Sequence, residues 1–168
     1  MTSEKRPVPR FRRTRLEWNL EFLTLVALIG GFVIVFLNWS SLPERIPIHF
    51  GFDGRPDRWV DSKLWILLLP CFNLAIYILF LFIGRRPYLF NYAWKVNEKN
   101  APRQYRLAIA FTTVLKTELI VSFTYALWRS IQVARGQAEG LGAFFLPIFL
   151  ILIAATVVIY LRLALRAR

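Results

Sequence analysis

Residues 22–37 read FLTLVALIGGFVIVFL, from Phe22 to Leu37 without a charge. A stretch this long and this apolar predicts a helix lying in lipid, because crossing a hydrocarbon core of about 30 Å takes roughly 20 residues. Asn38-Trp39-Ser40-Ser41 follows instead of a small-x-small cleavage site, so the segment is expected to stay as an anchor. The same reading extends outward to three further runs. The spans predicted are 18–39, 64–83, 107–128 and 143–163, with the third helix beginning near Pro102. Pro70 and Pro147 each fall within the first two turns, where a lost backbone hydrogen bond is most easily tolerated. The fold class is therefore an all-α membrane protein of four transmembrane helices, a single domain preceded by a basic arm at 1–17.

Composition agrees. The 168 residues are 57% hydrophobic and 16% aromatic, with a formal net charge of +12. In a soluble domain of this size the charges would be dispersed over every element. Here they gather in short clusters between apolar runs, so the basic excess reflects topology and not nucleic-acid binding. The arm carries Lys5, Arg6, Arg10, Arg12, Arg13 and Arg15, with Pro7 and Pro9 arguing against a long helix. Segment 84–106 also has six basic residues, whereas 129–142 has only Arg129 and Arg135. In 40–63, Arg45, Arg55, Arg58 and Lys63 are offset by Glu44, Asp53, Asp57 and Asp61. Both termini and 84–106 are accordingly expected in the cytoplasm of a bacterial plasma membrane, and 40–63 outside, as an extracytoplasmic loop of about 24 residues. Trp18 and Trp94 would sit at the inner interface, and Trp39, Trp65 and Trp128 at the outer one. Tyr88, Leu89, Phe90, Tyr92 and Trp94 mark 84–106 as interfacial.

The loop at 40–63 is the most distinctive stretch. Pro43, Pro47 and Pro56 restrict its backbone, Gly51 and Gly54 supply turns, and Phe50, Phe52 and Trp59 are aromatics able to fold back on the membrane. A stiffened aromatic loop serves either as a binding surface or as a lid capping the bundle. His49, Asp53, Asp57 and Asp61 recur every four residues, but the glycines and Pro56 oppose the helix that would align them. His49 is expected to hydrogen-bond within the loop, and the aspartates to pair with Arg55, Arg58 or Lys63. No metal is assigned and no cofactor is implied.

In order, Pro43, Ile46, Pro47, His49, Phe50, Gly54, Pro56, Asp57, Trp59, Ser62 and Lys63 reproduce a pattern of Leu-Pro-x-x-Ile-Pro-x-His-Phe followed by Gly-x-Pro-Asp-x-Trp-x-x-Ser-Lys. This resembles the signature loop of the SdpI-like bacterial membrane family, typified by an immunity and signalling protein against a sporulation-delaying toxin. Asn100-Ala101-Pro102-Arg103-Gln104-Tyr105-Arg106-Leu107 looks like the start of the third helix in its short members. The resemblance implies ligand sensing, an envelope-stress response or immunity, with His49, Phe50, Asp57, Trp59 and Lys63 as the binding surface.

Within the spans, Lys116 and Glu118 stand in the third helix and Asn73 in the second. Charges at that depth cost about 2.5–3.5 kcal/mol each and should face protein or water. Two residues apart, the pair point about 200° away from each other around a helix of 3.6 residues per turn. A polar layer of Asn73, Lys116 and Glu118 is expected near the midplane, with Thr113 or Ser122, where Gly30-Gly31 and Ala154-Ala155 let backbones approach. It serves assembly, Lys116 snorkelling or pairing with Glu118 of a neighbouring copy, or else it handles a proton or ligand. Glu21 would pair with an arginine of the arm. Cys71, the single cysteine, reads as a small core hydrophobe.

No nucleophile–base pair, phosphate loop or redox motif is visible, and one histidine leaves little room for acid–base catalysis. A non-enzymatic membrane protein is expected, with no catalytic residues. Its partners are the bilayer and either a peptide ligand or a larger membrane complex. The alternatives are a small accessory subunit and a minor transporter.

Overall fold

A computed structural model describes residues 11–92 and 94–167. It is mostly helical, and four of its helices are long and apolar enough to cross a membrane. Helices α1 (Arg15–Asn38), α2 (Leu68–Gly84), α3 (Ala101–Ala134) and α4 (Phe145–Arg166) run alternately up and down. Arg12 and Ala167 consequently lie at the same end, beside Arg106 and Gln104 of α3. We call this the arginine end and the opposite one the hairpin end.

The boundaries follow local chemistry. α1 begins at Arg15, inside the stretch read above as arm, because Thr14 and Glu17 form a capping box: the Thr14 hydroxyl accepts from the Glu17 N–H, and the Glu17 carboxylate accepts from the Thr14 N–H. Lys5, Arg6, Pro7, Pro9 and Arg10, on which the reading of the arm also rests, lie outside the described residues. The second span opens as a 3-10 turn, Lys63–Leu67, before turning α-helical at Leu68. Pro70 falls in the first turn of α2, where its missing N–H costs least. Between Gly84 and Ala101 the chain is irregular. Asn97 and Asn100 bridge each other's backbone N–H groups there, and Pro102 fits the opening turn of α3.

The expected all-α class is corrected at 40–63. The stiffened loop there contains an antiparallel hairpin, β1 (Arg45–Phe50) and β2 (Pro56–Asp61), with Arg45 opposite Asp61, Ile46 opposite Val60 and Pro47 opposite Trp59. Both strands are edges, so a proline in each is tolerated. Register shifts on either side of His49 bend β1 as it approaches the turn.

α3 is the hub. At 34 residues it is about 51 Å long, and α1, α2 and α4 all pack on it, while α1 and α2 touch each other only sparingly. It is also the least apolar of the four, because its polar residues face protein. α4 is apolar along most of its length and leaves most of its surface bare, as suits a helix in lipid. Two apolar clusters tie the bundle: Leu28, Ile76 and Ile120 centrally, and Val35, Leu42, Ile46, Ile66, Leu127 and Ile131 at the hairpin end. Ile46, 1% exposed, is the plug through which the hairpin joins the second cluster.

Candidate functional site

The hairpin is seated by backbone as well as by Ile46. Gly54, in the left-handed conformation at φ 75°, closes the turn, and its carbonyl accepts from the Leu141 N–H at 2.8 Å. The approach requires glycine on both sides. A Cβ on Gly54 would lie 2.9 Å from the Gly142 carbonyl oxygen, and one on Gly140 would collide with the Gly54 carbonyl. Arg129 fixes the facing loop by donating twice to the Gly140 carbonyl, and the Tyr125 hydroxyl donates to the Leu141 carbonyl.

Between β1, the start of α2, the last third of α3 and the start of α4 this leaves a cavity of about 290 Å3. Phe123, Ala126 and Ser130 of α3 form its floor, Trp65 and Leu69 one wall, Phe145 and Phe149 the other, and His49 and Phe50 its rim. Phe149 is the shared ring, tilted against Phe123 with centroids 6.1 Å apart and stacked on Phe145 at 6.2 Å, and its contact with Phe123 holds the α4 wall on α3.

The five loop candidates divide into two groups. His49 and Asp57 form an exposed pair, Nδ1 to Oδ1 at 2.6 Å, with Phe50 beside them on the cavity rim. Trp59 and Lys63 stand elsewhere: Arg45 lies over the Trp59 ring, while Lys63 lies over Trp39 at the end of α1 and pairs with Glu44. Only the first group shares a site. The expected aspartate–arginine pairing is not what forms: Asp57 holds His49, Asp53 accepts from the Arg55 N–H, and Arg55 reaches Glu139. Among the described residues no cluster of three or more His, Cys, Asp or Glu could hold a metal.

The intramembrane candidates do not form one layer either. Lys116 points to Glu21 of α1 at 2.7 Å, and both side chains are less than a tenth exposed. The same carboxylate accepts from the Tyr77 hydroxyl at 2.8 Å and pairs with Arg13 at 3.3 Å, and the Lys116 ammonium sits over the Tyr77 ring. Glu118 faces the other way and accepts from Thr156 of α4 at 2.6 Å, as its offset of about 200° from Lys116 requires. Asn73 lies further toward the hairpin, donating to the Ile120 carbonyl and to Thr124, which in turn donates to the Ala27 carbonyl. Thr24 and Thr117 bridge α1 and α3 between these levels at 2.8 Å. The polar groups thus form a column along the α1–α3 seam, with Glu118 outside it on the α4 side. Cys71 is exposed on the outer face of α2, not in the core.

Sequence reasoning gives Glu21 too small a part. The available signal is a carboxylate one turn inside the predicted first span, followed at a three-residue spacing by Thr24 on the same helix face. Gly140 and Gly142 carry no such signal, since their partner is 86 or more residues away in the chain.

A family described as a domain of unknown function (DUF1648) matches residues 26–74, which comprise the hairpin and the helix segments flanking it. The chain is also similar to an uncharacterized protein of Archaeoglobus fulgidus, 31% identical over 113 residues, covering 60% of this chain. It spans 61% of that relative's length. No solved structure matches.

Proposed function

We propose that the protein is a non-enzymatic multipass membrane protein whose hairpin end faces outside and binds the apolar portion of an amphipathic ligand, a membrane-active peptide being the class that fits best. The carrying observation is the cavity between hairpin and bundle. Its floor and walls are aromatic and aliphatic, while the exposed His49–Asp57 pair stands at the rim. A ligand entering there would place an apolar anchor among Phe123, Phe145 and Phe149 and keep its polar part against the pair. The SdpI-like loop pattern gives the same direction, sensing of or immunity to such a peptide in the plasma membrane, and the family match is centred on this segment. The basic arm and Arg85, Arg86, Arg103 and Arg106 at the opposite end support the orientation, with both termini cytoplasmic.

The test is survival of expressing cells challenged with amphipathic membrane-active peptides. Leu146→Trp adds bulk to the cavity from the α4 side and leaves every hairpin and rim residue unsubstituted. Protection by the natural chain, lost in Leu146→Trp at equal membrane abundance, supports the reading. Protection unaffected by the filled cavity would refute it.

A further inference from the structure

At the arginine end a second and larger cavity, about 840 Å3, opens between α1 and α2 with α3 behind it. Four cations line it, Arg13, Arg85, Arg106 and Lys116, against two carboxylates, Glu17 and Glu21. Both carboxylates are already engaged. Glu21 receives Lys116, Tyr77 and Arg13, while Glu17 receives Arg106 and the Thr14 N–H. Arg85 forms no salt bridge among the described residues and stands exposed at the mouth. Among the described residues the positive charge of the lining therefore exceeds what these two carboxylates neutralise, in a cleft also walled by the apolar Leu25, Phe80, Leu81 and Ile109, with Thr112 and Thr113 of α3 beside them. Since α1 and α2 meet only sparingly, the apolar walls continue to the surface between them, which faces lipid if these helices span the membrane.

We infer that this cleft is a binding site for one anionic phospholipid of the leaflet at the arginine end. Its phosphate sits between Arg85 and Arg13, and an acyl chain lies along Leu25, Phe80 and Leu81. Surplus cationic charge selects an anion, and apolar walls open to lipid select one carrying a tail. Trp18, in the lining and under the Arg13 guanidinium at 5.1 Å, is placed as an interfacial residue at headgroup level.

The experiment is native mass spectrometry and thermal melting of the purified full chain in mild detergent, with phosphatidylglycerol, phosphatidylcholine or inorganic phosphate added. One retained phosphatidylglycerol per chain and a raised melting point are expected, with neither from phosphatidylcholine or phosphate. Arg85→Gln should weaken retention about fivefold, the effect of roughly one surface cation. Leu25→Trp should weaken it by filling the chain groove with the charges untouched. Arg162→Gln, an exposed cation on α4 away from the cleft, should leave it unchanged. Equal retention of phosphatidylcholine would overturn the charge argument, and stabilisation by phosphate alone would overturn the lipid. An Arg162→Gln effect as large as that of Arg85→Gln would reduce the site to diffuse surface charge.

Discussion

At the arginine end α1 and α3 are joined by charge, Glu21 holding Lys116, Tyr77 and Arg13 within hydrogen-bond or ion-pair reach. At the hairpin end there is no buried charge among the described residues. The join is the Ile46 plug, the Gly54–Leu141 backbone bond and glycines that let two loops touch. The two constructions fail differently. A buried ion network is vulnerable to losing one member, because the survivor keeps its desolvation cost without its partner. A backbone interlock is vulnerable to any added atom and indifferent to charge.

The largest effect is expected at the charged seam. Glu21→Gln leaves the Lys116 ammonium buried beside a neutral amide and should cost about 3–5 kcal/mol in detergent-solubilised melting. Adding Lys116→Met removes the orphan charge and should recover more than half of the loss. Additive losses in the pair would show that Lys116 reaches water and that this end is not held by charge. Gly140→Val should have a smaller and local effect, about 1–3 kcal/mol from overpacking against the Gly54 carbonyl. Its mark is faster tryptic cleavage after Arg58 as the hairpin lifts. Unchanged cleavage would mean that Ile46 alone seats the hairpin.

Where sequence reading succeeds and where it stops follow the same division. The four spans are local in origin, each announced by its own apolar run and bracketing charges, so they can be read without tertiary information. The hairpin cannot, although Ile46, Ile48 and Phe50 alternate with Arg45, Pro47 and His49. The prolines and the four-residue recurrence of acids mask the period of two. A lone two-stranded hairpin is also marginal until something packs on it, and here that is the far end of α3. Lys116 and Glu118 are legible as polar groups needing partners, but their partners are not. Glu21 is 95 residues from Lys116 and Thr156 is 38 from Glu118, and only the packing of α1 and α4 on opposite sides of α3 assigns them.

The functional account rests on which side of the membrane the hairpin occupies, and Phe52 reports that side directly. It stands at the hairpin tip, 92% exposed, so Phe52→Cys should change stability by less than about 0.5 kcal/mol. In a Cys71→Ala background the thiol introduced at the tip is the chain's single cysteine. A membrane-impermeant maleimide should label it in intact cells as fully as in permeabilised ones. Labelling only after permeabilisation would put the hairpin and its cavity in the cytoplasm and contradict the account.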